Sequence, residues 1–170
     1  MNHKENLKKL TLCAMLTAMT AVATILIQIP TLTKGYVNLG DCIVNVSAWL
    51  IGVPYGALAA GIGSALADVI TGYFIYAPVT FFIKALMAVV SFYTFNAVSR
   101  KSKTLTARIT ASVMAEIVMA LGYTMYEVIL YHSWTYAVIG IYGNIAQGVM
   151  GVLSSVAVYE LVIKKIPKKI

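Results

Sequence analysis

"DCIVNVSAWLIGVPYGALAAGIGSALADVI", residues 41–70, is the stretch whose reading decides how this chain folds. Between Asp41 and Asp68 it carries no charge, so read without interruption it is one long apolar helix. Read with Gly52-Val-Pro-Tyr-Gly56 as a turn, it is two short helices, because glycine and proline together punctuate helical sequence. The first reading gives the chain five membrane spans and the second gives six. Basic residues arbitrate, since short cytoplasmic loops collect Lys and Arg. With six spans, Lys4, Lys8, Lys9, Arg100, Lys101, Lys103, Arg108, Lys164, Lys165, Lys168 and Lys169 share one side, eleven of the thirteen basic residues. Only Lys34 falls in a loop on the other side, and Lys84 falls inside a span. Two helices and six spans are therefore expected.

Working outward, the apolar segments read as about 7–29, 41–53, 55–71, 78–98, 108–130 and 137–163. Pro30, Gly35, Gly40, Gly72, Pro78 and the basic loop from Ser99 to Ala107 separate them. The expected fold is an all-α integral membrane protein, one domain over 1–170, a six-transmembrane-helix bundle with both termini cytoplasmic. Composition agrees: 60% of the 170 residues are hydrophobic, 11% are charged, and mean hydropathy is +0.84. A soluble domain carries about a quarter charged residues. The first segment has a basic start and an apolar run but no small-x-small cleavage site, so it reads as a mature span rather than a leader.

The net charge of +7 follows from the positive side of the membrane and does not call for nucleic acid, for which no basic, aromatic-interleaved module exists. Cys13 and Cys42 are too few for a disulfide framework. No HExxH or CxxC spacing, no Ser/His/Asp set and no P-loop occurs, so neither metal, cofactor, catalytic residue nor ATP hydrolysis is expected of this chain.

Spans two and three are short: thirteen residues at ~1.5 Å each cover about 20 Å of a ~30 Å hydrocarbon layer. Small residues at Gly56, Ala60, Ser64 and at Ala59, Gly63, Ala67 would let neighbouring helices approach closely enough to shelter them. Ionisable groups at membrane depth need a partner or a function. Asp41, Asp68, Lys84 and Glu127 all fall in the outer half, with Tyr36, Asn38, Tyr73, Tyr76, Tyr123, Tyr126, Trp134 and Asn144. A polar, aromatic-lined concavity opening outward is the expectation. Several of these aromatics equally suit an interfacial belt. Asp41 is expected to cap the second helix. Asp68 is expected either to hold its turn or to pair with Lys84, and Lys84 to offer a donor to a ligand. On span five Glu116, Ala120, Tyr123 and Glu127 share a face; on span six Gly140, Asn144, Gly148 and Gly151 share another, with Gln147 beside it. An amide between glycines suits either a planar ligand or an interhelical hydrogen bond.

These patterns resemble the S components of energy-coupling factor (ECF) vitamin transporters, along nearly the whole chain. The resemblance rests on size, span number and three motifs. They are Ala14-Met-Leu-Thr-Ala18, similar to the family's AxxxA docking motif; "GYVNLGD" followed by "GVPYGALAAGIGSALADVITGY"; and "APVTFFIKALMA" with "YGNIAQGVMG", similar to the fourth and sixth spans of the riboflavin-type group. The resemblance implies a binding subunit in a bacterial-type plasma membrane. It would capture a vitamin from outside and topple against a transmembrane coupling subunit driven by two cytoplasmic ATPases. It further implies that Ala14 and Ala18 face the coupling subunit, that Tyr36 and Asn38 belong to the gating loop, and that Lys84, Tyr123, Glu127 and Asn144 line the pocket. A lumen of tyrosines with few polar groups suits a small flat heteroaromatic such as pyridoxine or hydroxymethylpyrimidine, then riboflavin, then pantothenate. The competing class is a self-sufficient secondary transporter or exporter coupled through Glu116, for which the halves show no internal repeat.

Overall fold

The computed structural model describes residues 3–31 and 35–165. Lys34, Lys168 and Lys169 lie outside the described residues. The chain forms α1 (His3–Leu26), β1 (Gln28–Pro30), β2 (Tyr36–Asn38), α2 (Gly40–Ile51), α3 (Tyr55–Ile70), α4 (Ala77–Ser99), α5 (Thr104–Tyr131) and α6 (Trp134–Leu161), closed by a 3-10 turn at Ile163–Lys165. Residues 41–70 are indeed divided. Gly52 takes φ +66°, a left-handed setting that suits glycine, and a side chain there would press on the Phe92 ring. Pro54 then caps the start of α3.

The expected helical bundle is there, with one short addition that the sequence did not suggest. The first helix stops at Leu26, and the chain continues as a two-stranded antiparallel ribbon pairing Gln28 with Asn38, Ile29 with Val37 and Pro30 with Tyr36. Pro30 is the physical cause, because the residue before a proline is pushed toward extended backbone. Three-residue strands are too short to leave an alternating pattern in the sequence.

α1, α4, α5 and α6 are each long and apolar enough to cross a membrane, whereas α2 and α3, with 12 and 16 residues, are shorter. α2 sits in the middle, packed against α1, α3, α4 and α6, and every residue from Gly40 to Ala48 is buried. α3 reaches its neighbours through three glycines. A Cβ on Gly63 would stand 2.5 Å from the Thr17 carbonyl oxygen of α1, one on Gly56 2.8 Å from that of Ser47 on α2, and one on Gly61 2.8 Å from that of Phe81 on α4. Backbones therefore meet directly, as small-residue rows permit in lipid. Large apolar side chains such as Leu10, Val22, Phe82, Leu121, Tyr142 and Leu153 face outward. Polar ones such as Asp41, Asn45, Lys84, Ser91, Glu116 and Gln147 are buried. This inside-out distribution is that of a helical membrane bundle.

A ribbon-covered cavity lined by tyrosines

Successive helices run antiparallel, so the ribbon, the α3–α4 turn and the α5–α6 turn gather at one end of the bundle. Beneath them lies a cavity of about 40 Å³. At about 10–15 Å³ per water, that is room for roughly three waters. All six pocket residues expected from the sequence, Tyr36, Asn38, Lys84, Tyr123, Glu127 and Asn144, stand on its wall.

The roof is the ribbon itself. The Tyr36 hydroxyl donates to Asp68 Oδ1 at 2.5 Å, and its ring lies against Tyr73, centroids 4.6 Å apart. Burial, together with the neighbouring Asp68 carboxylate, pushes the Tyr36 phenol well above its usual range, so it stays a donor. Asn38, the last ribbon residue, donates from its backbone N and from Nδ2 to Gln147 Oε1 on α6, at 3.2 and 3.3 Å. Its own Oδ1 accepts from the Gly40 backbone N at 2.8 Å.

The floor carries the charges, and here one expectation fails and one of two alternatives is closed. Lys84 forms its ion pair with Asp41, not with Asp68. Asp41 does not cap α2: its Oδ1 takes Lys84 and its Oδ2 accepts from Gln147 Nε2 at 2.6 Å. The reason is geometric. Asp41 lies one residue inside α2, facing the bundle centre, and Asn38 supplies the side-chain oxygen at that helix start instead. Lys84 and Asp41 are 2% and 0% exposed, so neither charge could stand there alone. The Lys84 ammonium also lies 5.5 Å from the centre of the Tyr123 ring, within cation–π range. Tyr123 in turn donates to Thr80 Oγ1 at 3.1 Å.

Three α6 glycines, Gly140, Gly148 and Gly151, lie against the acids of α5. A Cβ on Gly140 would strike the Glu127 carboxylate, and one on Gly151 would strike Glu116. Glu116 is off the cavity wall, accepting from Asn45 Nδ2 at 3.3 Å. Asn45 accepts from Ser91, which accepts from Trp49, so a polar thread continues below the cavity.

Sequence reasoning missed Thr24, Ser64 and Thr80 as wall residues and did not assign Gln147 a partner. Thr24 Oγ1, Ser64 Oγ, Asp68 Oδ2 and Asn144 Nδ2 are buried with no hydrogen-bond partner, and all four residues line this one cavity. Thr11, Thr17 and Thr20 fold their hydroxyls back onto the preceding turn, whereas Thr24 on the same helix does not. Only the structure separates Thr24 from the others.

The sequence model of the family described as "ECF-type riboflavin transporter, S component" matches residues 4–165. This chain belongs to that family. As an S component it is a membrane subunit of a vitamin transporter. A relative from Pyrococcus woesei, described as "Uncharacterized protein in gap 3'region", is 36% identical over 133 residues, 78% of this chain and 86% of the relative. Among solved structures, one described as "Structure and mechanism of the S component of a bacterial ECF transporter" superposes with a TM-score of 0.71. It covers 94% of this chain and 97% of that one at 19% identity, so it supports the S-component fold and not a particular ligand. On the S component's first helix, Ala14 and Ala18 are exposed on an outward face with Leu10, Met15 and Val22.

Proposed function

We propose that this S component captures a small, flat, polar heteroaromatic vitamin or precursor of the pyridoxine or hydroxymethylpyrimidine kind. The observation that carries the proposal is the cavity's wall. Tyr36, Tyr73, Tyr76 and Tyr123 offer ring faces, while Lys84, Asp68, Asn144, Thr24 and Ser64 offer polar atoms at separate points. Aromatic walls with a few convergent polar groups hold a planar ring by stacking and fix its orientation by hydrogen bonds. With about 40 Å³ open, a single ring displaces the ribbon least. The family match favours a second reading, riboflavin, whose three fused rings require the ribbon to lift further. Pantothenate, which has no ring, makes least use of the tyrosines.

The proposed topology has six crossings at about 7–29, 41–53, 55–71, 78–98, 108–130 and 137–163, with both termini cytoplasmic and the ribbon end outside. Its support is that Lys8, Lys9, Arg100, Lys101, Lys103, Arg108, Lys164 and Lys165 all belong to the end opposite the ribbon. Transport would proceed by toppling against a transmembrane coupling subunit, with Ala14 and Ala18 at the contact and ATP hydrolysed by two partner ATPases. Glu116 is enclosed by Asn45, Gly148 and Gly151 off the cavity wall, which counts against the exporter reading.

Mass spectrometry of small molecules released from purified, denatured protein tests the ligand. Titration of pyridoxine, hydroxymethylpyrimidine and riboflavin against the purified chain follows. A flavin mass with a yellow preparation replaces the first reading by the second. Absence of binding by all three sinks both.

A further inference from the structure

Between the ribbon and Lys84 runs a chain of hydrogen bonds whose direction is fully determined. Asp41, as an acceptor-only carboxylate facing Lys84, obliges Gln147 to turn its Nε2 toward Oδ2. Gln147 Oε1 is then left facing the ribbon, where it receives two N–H groups from Asn38. Asn38 is fixed from its other side, because its Oδ1 accepts from Gly40 N and its Nδ2 must therefore point at Gln147. Neither amide can flip without facing like against like. Gln147 is 4% exposed, so no bulk water substitutes for a lost partner. Asn38, Gln147 and Lys84 all border the cavity, whereas Asp41 lies behind it.

We propose that Gln147 is a positioning residue that ties seating of the ribbon to placement of Lys84. When Asn38 seats, Gln147 Oε1 is satisfied, its Nε2 holds Asp41, and Asp41 holds the ammonium beside Tyr123. When the ribbon lifts, Gln147 loses both donors, its grip on Asp41 loosens, and Lys84 is freed to turn into the cavity. Opening the roof and freeing the cation are thus one event. The proposal rests on the vitamin-capture reading only for its purpose; the linkage itself is a property of the ligand-free chain.

The test uses the full chain purified in detergent, with no ligand added. Hydrogen–deuterium exchange of residues 28–38 reports the ribbon, and labelling of Lys84 by a succinimidyl acetate reagent, read by peptide mass spectrometry, reports the cation. Gln147→Met and Asn38→Ala should each raise both signals by at least about tenfold, since each removes more than one buried hydrogen bond and one alone is worth up to about that much. The double variant should be no more reactive at Lys84 than Gln147→Met alone. Tyr36→Phe, which loosens the ribbon at its Asp68 edge but leaves the relay whole, should raise ribbon exchange and leave Lys84 labelling low. Equal Lys84 labelling in Tyr36→Phe and Asn38→Ala would mean mere solvent access, and additive effects in the double variant would mean two separate contacts; either overturns the proposal. Should Gln147→Met not fold, Asn38→Ala against Tyr36→Phe decides alone. Riboflavin and pyridoxine are then titrated separately. If neither binds the wild-type chain, the vitamin reading fails while the labelling result stands on its own.

Discussion

Asp41 on α2 and Lys84 on α4 form a closed ion pair in the middle of the bundle, while Asp68, the acid nearer to Lys84 in sequence, is taken by Tyr36 of the ribbon. One acid therefore anchors the helix core and the other anchors the roof.

Removing one member of a buried pair strands the other charge, at a loss of about 3–5 kcal/mol. Asp41→Asn and Lys84→Met should each lower the detergent-solubilised Tm sharply, and the double variant should recover much of the loss. Asp68→Asn should cost about 1 kcal/mol or less, because the amide oxygen still accepts from Tyr36. A thermal-unfolding series in one detergent ranks the four variants.

Tyr36→Phe removes the hydroxyl that fastens the ribbon to α3 while leaving the ring against Tyr73. Binding of the captured vitamin should weaken about tenfold, for one hydrogen bond of about 1.4 kcal/mol, and mostly through faster dissociation. Stopped-flow fluorescence separates the two rates; a change confined to association would contradict the roof assignment.

Glycine substitutions should sort by what they meet. Gly63→Ala drives a methyl group into the α1 backbone and should destabilise by about 1–3 kcal/mol through overpacking. Gly140→Ala meets only the end of the Glu127 side chain, which can move. It should leave Tm nearly unchanged and alter vitamin affinity by pushing that carboxylate into the cavity. Melting curves beside binding isotherms for both variants make the comparison.

Ala14→Trp and Ala18→Trp change an exposed face of α1 that touches no cavity residue. Each should preserve Tm and vitamin affinity in the isolated chain yet reduce uptake at least tenfold in vesicles carrying the full ECF assembly, if that face is the docking surface. Undiminished uptake would move the docking surface elsewhere.

Much of this was readable from residue order alone. Long apolar runs, the Gly52–Pro54 break and the clustering of polar residues in corresponding halves of the helices are one-dimensional signals. Partner choice is not. Asp68 is separated from Lys84 by the α3–α4 connection, and Asp41 by most of α2, all of α3 and that connection; sequence spacing does not say which way each faces around its own axis. The same applies to Gly140 and Gly151, where a glycine beside an amide suggested space for a ligand and the space holds Glu127 and Glu116. The ribbon escaped notice because its strands are shorter than any periodic pattern. Gln147 was legible as a residue beside Asn144 but not as a bridge, since its two partners lie more than a hundred positions away.

The ribbon has a mechanical consequence. Its Tyr36 edge is tied to α3 and its Asn38 edge to α6, two helices that both pack against α2. It is therefore a tie-bar between them, at the end of the bundle that holds the cavity. On the proposed toppling reading, the fastened tie-bar would make any tilt of α3 and α6 a shared one, so that the bundle would turn in the bilayer as one stiff piece. On the transport reading proposed above, unfastening either edge would let the two flanks part at that end, and fastening both would hold the molecule stiff around its cargo.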